Sequence, residues 1–260
     1  MLFEAWRAAG WRVLAREKFG HDPDFPVTSN WPHLRDELLD FVARAAPGGP
    51  VHLVGHSLGG YLSLLAACRR PRLAASVILL DSPVLAGWRA HGVRVAKATG
   101  LVKRISPGRV SRTRRHHWPS AEAALAHFAA KRAFARWDPA VLNDYIAAGT
   151  EPDTGGEGVR LSFDRAIETR IYDTLPHHLG TVLQRHPPGG PVAFIGGTRS
   201  AELRQVGLEA TRALTRGQIA WIEGSHLFPM ERPLETAAAV LHAIESTAGL
   251  AAGPSAAERA

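Results

Sequence analysis

The stretch VHLVGHSLGG, residues 51–60, decides the reading of this chain. Val51 to Val54 is a short apolar run preceded by the turn-forming Ala46-Pro-Gly-Gly-Pro50. Such a run fits a strand buried on both faces. Gly55-His56-Ser57-Leu58-Gly59 then matches G-x-S-x-G, and Leu58 to Cys68 continues as a helix with Tyr61, Leu62, Leu64 and Leu65 apolar. A strand that turns directly into a helix pushes its tip residue into strained backbone and brings neighbouring backbone close. Small residues at Gly55 and Gly59 permit this. The pattern predicts Ser57 at the carboxyl end of a central strand and at a helix N-terminus. The Leu58 N–H would point at any oxyanion formed on a substrate bonded to Ser57.

Outward from this turn, strand and helix alternate. Residues 2–9 read as a short helix and Trp11 to Ala15 as a strand. Leu34, Leu38, Phe41 and Val42 give the 3.6-residue stripe of an amphipathic helix. Ser76 to Leu80 reads as the next strand, ended by Asp81-Ser-Pro83. The alternation stops over residues 84 to 186, where helical patches are broken by Pro107, Pro119, Pro139 and Gly155-Gly156. It resumes with a strand at Pro191–Ile195, a helix at Ala201–Leu214, a strand at Gln218–Ile222 and a helix at Leu234–Ile244. The expected fold class is α/β, a parallel sheet covered by helices. Residues 1–83 and 187–247 form its core, 84–186 an inserted helical cap, and 248–260 a flexible tail.

Composition narrows the functional classes. The 260 residues carry 31 Lys+Arg against 24 Asp+Glu, a formal charge of +7, and 45% are hydrophobic, which argues against global disorder. The single cysteine, Cys68, excludes an intramolecular disulfide and a zinc site built on several thiolates. It reads as a small packed hydrophobe on the helix after the turn. No stretch approaches the ~18 apolar residues of a membrane span. The N-terminus, with acid and base in its first seven residues, is not a signal peptide. A soluble, cytoplasmic protein without membrane partners is the expectation. Positive charge concentrates between Val84 and Thr150, with 12 Lys/Arg and 3 Asp/Glu, densest around Lys103, Arg104, Arg109, Arg112, Arg114 and Arg115. A patch for an anion or nucleic acid is one reading. A solvated helical face is the simpler one, since no nucleic-acid-binding motif accompanies the charge.

A serine hydroxyl needs a base within hydrogen-bond reach. Of 13 histidines, His226 is the candidate: it lies in Glu223-Gly-Ser-His-Leu-Phe-Pro229, after the last strand and before the last helix. That places it at the same sheet end as Ser57. His56 and Leu58 flank the serine and are the candidate substrate-binding residues, although so tight a turn makes the His56 side chain diverge from that of Ser57. His116-His117 and His177-His178 read as surface. Glu231 reads as a cap of the last helix.

Strand–GHSLGG–helix, strand–DSP, helical insertion, strand–GGT and strand–EGSH–helix together resemble the α/β-hydrolase family over roughly residues 1–246. The resemblance implies Ser57 as nucleophile, His226 as base and then acid, and a cap that shapes the pocket. Serine in the turn argues against the family's aspartate-dependent dehalogenases and epoxide hydrolases. Two departures stand out. The family's usual acid position falls on Ser200, in Gly197-Thr198-Arg199-Ser200, which leaves Asp81, Glu202 or no carboxylate to orient His226. The strand expected before residues 2–9, which supplies the family's second oxyanion N–H, is missing. Its place between the strands at 11–15 and 51–54 would leave those two strands paired directly, or leave backbone groups unpaired. This predicts further coding residues upstream of Met1.

The function expected is a serine hydrolase cleaving a small-molecule ester, thioester or similar acyl compound, with no metal and no organic cofactor. Trp118, Phe128, Phe134, Trp137 and Tyr145 are candidate pocket residues, with cap core as their simpler role. A truncated or non-catalytic binding protein resembling the α/β-hydrolases is the alternative function.

Overall fold

Four apolar segments pair in parallel to form the central sheet: β1 (Val51–His56), β2 (Ala74–Leu80), β6 (Val192–Gly197) and β7 (Ile219–Ile222), in the order β1-β2-β6-β7. The computed structural model describes residues 1–99 and 108–252. Side chains alternate across the strands. Val77, Leu79, Val192 and Phe194 face one core, with α2 (Pro32–Ala45) and α3 (Leu58–Arg69). Ile78, Leu80, Ala193 and Ile195 face the other, with α1 (Leu2–Ala8) and the last helix, Pro233–Ala252. Burial on both faces is why these strands read as continuous apolar runs. Trp6 of α1 donates through Nε1 to the Ala237 carbonyl at 3.1 Å, which ties the first helix to the last.

Three expectations are corrected here. Residues 11–15 are irregular, not a strand; Trp11 N–H turns back to the Trp6 carbonyl and no ladder forms. Direct pairing with β1 is therefore not the outcome. Among the described residues β1 has β2 as its only partner, and a cavity of about 470 Å³ lies along its other flank. Trp6, Trp11, Val13, Phe41, Val54 and Leu62 are among its walls. Second, the helix expected over 201–214 is two, Ala201–Val206 and Glu209–Thr215, because Gly207 at φ +79° breaks it. Third, the last helix runs to Ala252, so residues 248–252 are helical, and 253–260 lie outside the described residues.

Between β2 and β6 the chain forms α4 (Gly87–Ala98), α5 (Gly108–Thr113), α6 (Ala121–Ala129), α7 (Pro139–Gly149), α8 (Arg165–Asp173) and α9 (Leu179–Arg185). It also holds a small antiparallel sheet of β3 (His117–Trp118), β4 (Thr150–Pro152) and β5 (Val159–Leu161), too short for sequence periodicity to reveal. Trp118 and Phe128 are buried in a hydrophobic cluster of this segment, with Phe134, Trp137 and Tyr145 packed against it. Two arginines of the basic run enter ion pairs with α8, Arg112 with Asp173 and Arg114 with Glu168. Lys103 and Arg104 lie outside the described residues. Among those described, no helix is long and apolar enough to cross a membrane.

Candidate active site

β1 ends at His56, α3 starts at Leu58, and Ser57 between them takes φ +52° and ψ −113°, a backbone few non-glycine residues adopt. The strain is held by bonds on both sides. Ser57 N–H donates to Leu80 O at 3.1 Å, and Ser57 O accepts from the Ser82 hydroxyl at 3.0 Å. The glycine requirement differs from expectation. A Cβ at Gly55 would lie 2.2 Å from the Gly59 carbonyl carbon, and one at Gly60 2.2 Å from Ser82 Oγ, but one at Gly59 meets nothing within 4 Å. Gly55 and Gly60 are the pair the turn needs. As the first residue of α3, Leu58 has no helical acceptor for its N–H. Among the described residues the Ser57 hydroxyl makes no hydrogen bond.

Asp81 follows β2 at φ +45° and is 1% exposed. Its Oδ1 accepts from Gly197 N–H at 2.8 Å; its Oδ2 accepts from the Ser200 hydroxyl at 2.5 Å and from His226 Nδ1 at 2.7 Å. Of the two carboxylates left open by the sequence, Asp81 holds the ring, while Glu202 reaches Ser200 Oγ at 3.5 Å. Ser200, where the sequence places the missing acid, instead hydrogen-bonds the acid contributed by the neighbouring strand. Its hydroxyl also accepts from Leu203 N–H as the N-cap of the helix at 201–206. Asp81, Glu202 and His226 bring ligand-type atoms within 4.8 Å of one another. Both Asp81 oxygens are already engaged, so this donor set fits imidazole orientation better than metal binding.

The loop bearing His226 is braced from within. The Ser225 hydroxyl donates to Glu231 Oε1 at 2.5 Å and Ser225 N–H to Oε2 at 3.1 Å, with the Glu231 side chain 4% exposed. Glu231 therefore holds the histidine loop; it does not cap the last helix. His56 Nε2 donates to the His226 carbonyl at 2.7 Å, and the two rings lie 4.7 Å apart. Burial, reinforced by the neighbouring His226, pushes the His56 imidazole down to about 4. A neutral His56 tethered to that carbonyl positions the loop. Its Nε2 is occupied, which removes that atom from the substrate contact expected of it. Ser200, Ser225 and Gly60 escaped the sequence reading; the one usable signal was a hydroxyl standing where an acid was due.

A model described as "Alpha/beta hydrolase family" matches residues 5–239. The probable esterase PIR7A of rice (Oryza sativa subsp. indica) is 34% identical over 106 residues, 40% of this chain and 39% of that protein. A mouse monoglyceride lipase is 30% identical over 101 residues, 36% of this chain and 33% of that one. The matched part thus spans well under half of either relative. The crystal structure of E-2-(acetamidomethylene)succinate hydrolase superposes with a TM-score of 0.64 over 87% of this chain and 78% of that chain, at 21% identity.

Proposed function

This chain belongs to the alpha/beta hydrolase family, and from that premise we propose that it is a serine hydrolase of small-molecule carboxylic esters, thioesters or similar acyl compounds. The observation that carries the reading is the 2.7 Å contact from His226 Nδ1 to a fully buried Asp81 beside the strained Ser57 turn. Esterase and lipase relatives support ester substrates.

In this mechanism Asp81 fixes the His226 tautomer with a proton on Nδ1, so that Nε2 is the free base. Ser57 Oγ attacks the acyl carbon as its proton passes to His226 Nε2. The Leu58 N–H donates to the oxyanion. Collapse breaks the bond to the leaving oxygen or sulfur, which takes the proton from His226. Water, deprotonated by the same nitrogen, then attacks the acyl-enzyme and restores Ser57. Catalytic hydrogen bonds tighten in the substrate complex, consistent with an unengaged serine hydroxyl beforehand. The chemistry requires no metal and no organic cofactor.

A fluorophosphonate probe tests this reading. Covalent labelling that disappears in Ser57→Ala is expected, together with turnover on a panel of esters varying in acyl length. A folded chain that takes no label and turns over no ester would instead favour a non-catalytic binding relative, the reading favoured by the open flank of β1.

A further inference from the structure

His177 and His178, read from the sequence as surface, help line a cavity of about 390 Å³ between α4 and α9. His91 and Arg94 line it from α4, and Thr181 and Gln184 from α9. No Asp or Glu is among its lining residues. Arg94 donates to His91 Nδ1 at 2.8 Å. Lys97 stands behind the wall, with Nζ 3.2 Å from His177 Nδ1, 3.0 Å from Leu175 O and 3.3 Å from Asn30 Oδ1. The ammonium is therefore fixed in place beside the cavity. His178 Nδ1 is buried without a hydrogen-bond partner. Burial, and then the surrounding cations Lys97, Arg94 and Arg35, push the two imidazoles down.

The chemistry of the occupant follows from what the walls lack and hold. A cation would meet a guanidinium and an ammonium with no carboxylate opposite. A shared metal is not preorganised either. Among the described residues, three ligand atoms of His, Cys, Asp or Glu converge only at Asp81, Glu202 and His226. An anion suits these walls: it accepts from Arg94, Thr181 and Gln184, and the Lys97 ammonium behind them, whose own donors are engaged, adds to the field. One cation in the wall and a second held behind it match a dianion better than a monocarboxylate.

We propose that this cavity binds a phosphate group. The site lies outside the hydrolytic machinery, so it stands or falls independently of the acyl-transfer reading. Isothermal titration of the full chain at constant ionic strength, with inorganic phosphate and with glycerol 3-phosphate, tests it. Saturable binding is expected. Tighter binding of the ester identifies a phosphorylated organic molecule as the ligand; tighter binding of inorganic phosphate identifies the free anion. The double variant Arg94→Gln, His178→Gln should weaken binding about tenfold or more, as removal of charge-assisted hydrogen bonds does, and leave hydrolysis of a short ester unchanged. If the double variant loses its far-UV circular dichroism, Arg94→Gln alone carries the comparison. Absence of saturable heat up to roughly 20 mM of either probe, or a folded variant that binds as tightly as the unmodified chain, would overturn the proposal.

Discussion

The two flanks of β1 differ in kind. Toward β2 the strand is paired, its last turn is bonded to Leu80 and Ser82, and the Asp81–His226 contact sits just beyond. Toward residues 11–16 it borders an apolar cavity of about 470 Å³. One strand thus carries the proposed nucleophile between a finished side and an unfinished one. The acid–imidazole half of the site depends only on the finished side. That is why it assembles completely although, among the described residues, the other flank holds no partner strand.

Several measurements would break or sharpen this contrast. The largest effect should come from the closed side. Asp81→Asn keeps the volume but removes the acceptor that fixes the His226 tautomer, and ester turnover should fall by about 10³–10⁴-fold in a chain that still folds, far more than the about 1–3 kcal/mol of stability lost with the buried acceptor accounts for. A loss below about tenfold would mean that Asp81 does not orient the base.

The glycines test the flanks by stability. Gly60→Ala drives a methyl into Ser82 and should cost on the order of 2–4 kcal/mol in denaturant unfolding. Gly59→Ala, in the same helical turn but beside the cavity with nothing within 4 Å, should instead stabilise by about 0.5–1 kcal/mol. Equal costs at the two positions would erase the contrast.

His56 makes the finished side acid-sensitive. Its folded value near 4 lies below the ordinary 6.5. Between those pH values the unfolded chain binds the additional proton, so stability falls as pH drops from 6.5 to 4, by on the order of 3 kcal/mol. His56→Asn should flatten that part of the melting-temperature profile, and a parallel profile would exclude His56 as its source. The smallest effect is local. Val51 and Ser57 donate to Leu73 and Leu80, whereas strand alternation points the His52 and Val54 N–H groups to the open flank. Those two should exchange at least about tenfold faster in deuterium oxide.

The sequence made the sheet legible because its two central strands, β2 and β6, are buried on both faces and the strands are bounded by Pro, Gly and Asp. The Ser57 turn and His226 were legible for the same reason: each sits where a strand gives way to a helix. Asp81 remained one of several alternatives, because Glu202 follows β6, the strand next to β7, while Asp81 follows β2, one strand further away, and only the tertiary fold shows which carboxylate reaches the His226 ring. Trp11 to Ala15 looks like a strand locally, but a strand needs a neighbour, and nothing in its own residues reports whether one is within reach. The braces at Ser200, Ser225 and Glu231 were hidden because small hydroxyls and a lone acid are common in any loop. Their meaning arises only when a buried carboxylate or a histidine loop is placed against them.

The bond from Trp6 to Ala237 has a consequence for biogenesis. The two groups are 231 residues apart. While the chain emerges from the ribosome, the carbonyl that receives the indole is not made until 231 further residues have been translated. Throughout that interval the first helix is a greasy, unsheltered segment, the kind that holdase chaperones retain and that seeds inclusion bodies when synthesis outruns them.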